Sequence, residues 1–112
     1  MFDVEASDSE GVRRIVLVGE FDLAAMPTAE TSLAEATANG YAAIEIDLSA
    51  LTFLDSSGVR SLMITVDRCR ERGTPLTIIP GPRGVQRVFE ITGLVDTLPF
   101  ATPSDPADDD RT

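Results

Sequence analysis

"AIEIDLSALTFLDSSGV", residues 43 to 59, decides the fold, because one short stretch passes from the hydrophobic period of a strand to that of a helix. Over residues 43 to 48, Ile44, Ile46 and Leu48 fall on one side, a period of two that predicts a strand. Leu51 to Leu54 reads as a second strand-like approach. Beyond Asp55-Ser56-Ser57-Gly58 the period lengthens. Val59, Leu62, Met63, Val66 and Cys69 recur at steps of three and four, while Arg60, Asp67, Arg68, Glu71 and Arg72 point elsewhere. This predicts a helix from about Ser57 to Arg72, stopped by Gly73.

Working outward, residues 2 to 6 alternate apolar and acidic, SDSEG supplies turn chemistry, and residues 12 to 18 (VRRIVLV) form a β-branched run, together an expected hairpin. After GEFD (residues 19 to 22), a helix is predicted from Pro27 to Asn39. Pro27 suits its first turn, Gly40 suits the position past its end, and its apolar side is thin, mostly alanines with Leu33. Downstream, LTII (76 to 79) is a short buried strand closed by Pro-Gly-Pro, and Gly84 to Thr92 a helix with Val85, Val88 and Phe89 on one face and Gly93 as its stop. LVDTLPF is expected to add a short strand or extended piece. The order implies an α/β fold: a mixed sheet of four or five strands, built from the N-terminal hairpin and then parallel crossovers, packed with three to four helices. Residues 1–103 form the domain, and 104–112, with four Asp and one Arg, an acidic disordered tail.

Composition narrows the chemistry. The chain of 112 residues is 43% hydrophobic, one domain's worth. Nineteen carboxylates face nine cations, all arginine, for a net charge of -10. Binding to nucleic acid or an anionic membrane, which rests on clustered Lys and Arg, is disfavoured. There is no histidine, so the usual general base and commonest metal ligand are both absent and Ser-His-Asp catalysis is excluded. Neither a metal site nor a cofactor is expected. The lone Cys69 reads as a small core residue. With no signal-peptide pattern and no apolar stretch near the roughly 18 residues that span a bilayer, the expected location is the cytoplasm.

Two motifs carry candidate function. Asp55 or Ser56 is placed to cap the helix beyond it, an arrangement worth about 1 kcal/mol. A serine at a helix start is also placed to carry a phosphate, since free amides and the positive end of the helix dipole favour an anion. In GEFD, Glu20 and Asp22 are either a solvated strand-end charge and a turn residue, or part of a site. Parallel topology favours the second, because it sets the C-terminal ends of the strands on one edge. Glu20, Asp22, Asp55, Ser56 and Ser57 would then share one surface.

"GEFD", "AIEIDLSALTFLDSSGV", "LTIIP" and "VQRVFEITGL", in this order and spacing over nearly all of residues 2 to 100, resemble the STAS domain, specifically the stand-alone anti-sigma factor antagonists. The resemblance implies a non-enzymatic protein that binds an anti-sigma factor, itself a serine kinase, and so releases a sigma factor. It implies that phosphorylation by the kinase breaks the complex and that a serine phosphatase restores it. The phosphoacceptor implied is Ser56, with Ser57 the alternative. Asp55 matches the acidic residue before it, and Asp22 the loop aspartate near the site. Gly58 and Val59 open the helix that meets the partner, or serve simply as helix start and core. Arg60 departs from the family, where a small residue is common; it either holds a phosphate or attracts an acidic partner, or is a solvated surface charge. No partner contact is carried onto residues 23 to 28, where the chain is longer than in several antagonists. The other reading of the whole chain is a STAS-type scaffold or sensor module in a complex that does not end in a sigma factor.

Overall fold

The long strand β2 (Val12–Phe21) organises the molecule by pairing with three others. The computed structural model describes residues 1–101, so the expected tail, 104–112, and the domain boundary at 103 lie outside the described residues. β1 (Phe2–Ser9) runs antiparallel to β2 from Phe2↔Gly19 to Ser9↔Val12. The turn of this hairpin narrows to Glu10 and Gly11, both at positive φ (52° and 83°), the backbone that a two-residue hairpin turn requires. Ser7 to Ser9, expected as turn, are strand instead: pairing with β2 overrides their weak strand propensity.

β3 (Ala43–Asp47) and β4 (Leu51–Leu54) both run parallel to β2, one after the other along its length. They are in effect one strand broken by a turn. Asp47 makes the break: one carboxylate oxygen accepts from Ser49 N–H at 2.8 Å and the other from Arg14 at 2.6 Å. β5 (Leu76–Ile79) runs parallel to β3, completing a five-stranded mixed sheet in the order β1-β2-β3-β5 with β4 on β2. In β5 only Ile78 is fully buried, so the strand expected to be buried is partly covered. The LVDTLPF segment supplies one parallel bridge, Phe100 to Ile78, rather than a strand.

Three helices complete the described residues. α1 (Met26–Ala38) begins one residue before Pro27 because a short 3₁₀ turn, Leu23–Ala25, leads into it. It packs with Ala29, Leu33 and Ala36, as thin as its sequence implied. α2 (Ser56–Arg72) buries Val59, Leu62, Val66 and Cys69, and Gly73 closes it at φ 69°. Met63 departs from the expected core and is 39% exposed. The buried arc turns the other way, toward α1, and takes in Ser61 and Thr65, whose hydroxyls bond to Met26 Sδ and the Ser61 carbonyl. α3 (Arg83–Ile91) seats Val85 and Phe89 in the same core, with Phe89 edge-on to Phe100.

On β2 the core residues are Ile15, Leu17 and Phe21, and they meet Ile44, Ile46, Leu51, Leu54 and Ile78 from the parallel strands. Burial also pushes the Cys69 thiol above its usual pKa. α2 rests directly on the sheet at Gly58. A β-carbon there would run into the Leu54 side chain and lie 3.0 Å from the Phe21 ring. Gly84 in α3 has nothing within 4 Å of the same position. Urea unfolding of the two alanine variants should therefore separate. Gly84→Ala gains up to about 1 kcal/mol from helix propensity, whereas Gly58→Ala loses about 1–2 kcal/mol because overpacking exceeds that gain.

Candidate functional site

The site is built where β2 and β4 end together. Phe21 and Leu54 are register partners, both core residues, and the Asp55 N–H donates to the Phe21 carbonyl at 3.3 Å. The next residue of each strand is an aspartate. Asp22 and Asp55 thus stand side by side with nearly identical extended backbones, φ/ψ -116°/-170° and -115°/-173°. Each turns its carboxylate into the helical turn directly after it. Asp22 accepts from Ala25 N–H at 3.2 Å, and Asp55 from Ser57 N–H at 2.9 Å and Gly58 N–H at 3.3 Å.

Of the two residues offered by the sequence as cap of α2, Asp55 is therefore the cap, and Ser56 is the first helical residue rather than lying before a helix that starts at Ser57. The expectation that first-turn amides lie open to a phosphate needs correction. Those of Ser57 and Gly58 are already taken by Asp55. Ser56 is exposed and Ser57 half-buried, and neither hydroxyl has a hydrogen-bond partner among the described residues. The best-presented nucleophilic oxygen of the site is thus on Ser56.

Gly58 and Val59 are buried, Val59 at 6% exposure, so they seat α2 on β2 and β4 and present no side chain to the outside. Arg60 is exposed, one helical turn beyond Ser56. Glu20 lies inside β2 rather than in a loop. By strand alternation its side chain leaves the sheet on the face opposite Phe21, and it accepts from the Met1 amine at 2.9 Å. That hydrogen bond and charge raise the pKa of the amine above its usual value. The structure thus groups Asp22, Asp55, Ser56, Ser57 and Arg60 at one strand end, with Glu20 set around the edge.

Two apolar neighbours escaped the sequence reading. Leu23, directly after Asp22, is 71% exposed, and Phe53, the register partner of Glu20, is 48% exposed. Phe53 alternates with Leu54 as a strand should, but the shift in pairing between Gly19 and Glu20 lets both Leu51 and Leu54 face the core. The string LTFL alone gives no sign of that bulge. Among the described residues there is no cluster of three His, Cys, Asp or Glu side chains able to hold a metal, and no helix long and apolar enough to cross a membrane.

The sequence pattern of the STAS domain matches residues 3–106. The chain belongs to the STAS domain family. This STAS domain is 25% identical over 96 residues to the anti-sigma-B factor antagonist of Staphylococcus aureus, covering 86% of this chain and 89% of that protein. It is 35% identical over 65 residues, 58% of this chain and 53% of the relative, to the anti-sigma-F factor antagonist RsfB of Mycobacterium tuberculosis. Among solved structures it superimposes on an anti-sigma factor antagonist from Mycobacterium paratuberculosis with a TM-score of 0.80 and 28% identity, covering 98% of this chain and 90% of that one. The five-stranded mixed sheet and three helices fall within the four or five strands and three to four helices expected from sequence, and match the fold of this family's solved members.

Cap loss is the direct test of the local geometry. Asp55→Ala frees two amides of α2 and should lower stability by about 1 kcal/mol in urea unfolding. Asp22→Ala, which frees one amide of a three-residue turn, should cost less.

Proposed function

We propose that this STAS domain is an anti-sigma factor antagonist. In its unphosphorylated form it binds an anti-sigma factor serine kinase through the strand-end surface of Asp22, Asp55, Ser56, Ser57 and Arg60, and a sigma factor is released. The kinase transfers the γ-phosphoryl group of ATP to Ser56 Oγ, with ADP leaving and the hydroxyl proton lost to solvent, and the complex dissociates. A serine phosphatase acting on the phosphorylated form resets it. The magnesium and ATP belong to the kinase, this chain performs no catalysis of its own, and the exchange takes place in the cytoplasm.

One observation carries the reading: in a chain whose relatives are anti-sigma factor antagonists, an exposed serine opens α2 directly beside two paired aspartates. Ser56 is preferred to Ser57 because it is exposed, whereas Ser57 is half-buried behind the cap. Glu20 adds negative charge around the edge, and the exposed Leu23 supplies apolar contact area next to Asp22. Gly58 and Val59, which the resemblance sets at the partner-facing helix start, act here by holding α2 in position.

The physical logic of the switch is additive charge. Phosphorylation brings roughly -1.5 to -2 charges to a surface already holding Asp22 and Asp55, whose carboxylates occupy the amides that would otherwise soften it. Loss of a complementary charge contact at the centre of an interface costs about 2–5 kcal/mol, roughly 30-fold to several thousand-fold in affinity.

Incubation with the anti-sigma kinase and ATP should add a single phosphate, seen by mass spectrometry and absent from Ser56→Ala. Loss of the phosphate in Ser57→Ala with retention in Ser56→Ala would move the site. By calorimetry, Ser56→Asp should bind the kinase at least about 30-fold more weakly than the unmodified chain. Equal affinity would overturn the charge-based mechanism.

A further inference from the structure

Arg60 stands near the N-terminal end of α2, where the helix dipole gives a cation no support. It is the fifth residue of α2, just past its first turn and toward the positive end of the helix dipole, while Arg70 and Arg72, in the last turn, lie where that dipole favours them. Asp55 caps that end of the helix, but no carboxylate pairs with Arg60 among the described residues. The helical neighbours of Arg60 at three- and four-residue spacing are Ser56, Ser57, Met63 and Ile64, none of them acidic. The ion pairs among the described residues involve Arg13, Arg14 and the Met1 amine, not Arg60. The closest carboxylate in sequence, Asp55, is turned inward onto the amides of Ser57 and Gly58. Arg60 is exposed and therefore contributes little to the core.

Ser56, the more exposed of its two serine neighbours, supplies an anion within reach once it is phosphorylated. Residues four apart on a helix bring their Cβ atoms to about 5–6 Å, a gap that a phosphate and a guanidinium together span. Ser56 and Arg60 both lie on the exposed side of α2, and Met63 and Asp67 continue the same stripe. Because Asp55 already takes the Ser57 and Gly58 amides, a phosphate on Ser56 finds few backbone donors there. A planar guanidinium, with two parallel N–H donors, fits a phosphate better than any other side chain.

We propose that Arg60 is the internal counter-ion of a phosphate on Ser56. The inference rests on the proposed modification of Ser56 and adds a second half to the switch. In the unphosphorylated chain the guanidinium stands open on the partner-facing surface. In the phosphorylated chain it closes on the phosphate, so that modification adds an anion and also withdraws the surface's cation from the partner. Asp55 and Asp22 oppose the phosphate from the two strand ends, and Arg60 is the group that offsets them.

The test installs phosphoserine at position 56 during translation, without any kinase, in the otherwise unchanged chain and in Arg60→Gln and Arg60→Lys. ³¹P NMR then reads the second ionisation of the phosphate, near 6 for phosphoserine. Replacing Arg60 by Gln should raise that pKa by roughly half a unit, with Lys in between and the difference shrinking in molar salt. Equal pKa values in the unchanged chain and Arg60→Gln at low salt would overturn the assignment. Since the phosphate is placed chemically, this result is independent of kinase recognition: a kinase that leaves Ser56 unmodified overturns the proposed function, and the pKa comparison still decides the role of Arg60.

Discussion

The parallel pairing of Leu54 with Phe21 is the constraint on which the site depends. It sets two strands to end at the same level, so the residue after one strand is bound to lie beside the residue after the other. The main-chain bond from Asp55 to the Phe21 carbonyl locks the level, and the two aspartates become neighbours although thirty-three positions separate them in sequence. Were β4 shifted by one residue, Leu54 would leave the core and Asp55 would lose its helix. The broken strand β3–β4 makes the pairing possible. Asp47, bridging Arg14 and the Ser49 amide, turns the chain so that β4 resumes along the same neighbour after β3 has ended.

Close packing then transmits that level to the helix. Gly58 lets α2 rest directly against Leu54 and Phe21, so Ser56 and Arg60 are held by the same side chains that fix the strand ends. Farther down, Ser61 and Thr65 replace larger residues where α2 meets the alanine side of α1. At the opposite end of β2, Arg13 lies 15% exposed between Asp8 at 2.8 Å and Glu35 at 3.6 Å, with the Tyr41 ring 5.1 Å from its guanidinium carbon, and ties the hairpin to α1 and to the approach to β3. The two ends of the strand differ accordingly. One is clamped by a half-buried cation; the other presents charge to the outside.

Much of this is legible in the sequence, and the gaps have definite causes. Ile44, Ile46 and Leu48 announce β3, and α2 is unmistakable because Val59, Leu62, Val66 and Cys69 keep a helical period bounded by Asp55 and Gly73. Met63 is misread because periodicity shows how wide an apolar stripe is but not which flank meets a neighbouring helix; the polar Ser61 and Thr65 take that flank instead. The outward face of Phe53 goes unread because the register shift opposite Gly19 and Glu20, which leaves Thr52 as the extra residue of β4, belongs to the pairing of two distant segments and leaves no mark in either one. The choice between Asp55 and Ser56 as cap is likewise beyond composition, since both are good caps, and only the direction of the Asp55 carboxylate decides it. Adjacency of Asp22 and Asp55 is implied by parallel topology alone, whereas the inward turn of both carboxylates is not.

The hairpin leaves an open strand edge. β5 has Phe100 against it, but among the described residues the outer side of β1 has no strand beside it, and such an edge is a template for addition of another chain. Here the edge carries Asp3, Glu5 and Asp8 along a strand of eight residues. Two copies brought together along β1 would set carboxylate near carboxylate with no lysine anywhere in the chain to intervene. The negative charge that disfavours nucleic-acid binding thus also opposes the addition of a second copy at this open sheet edge.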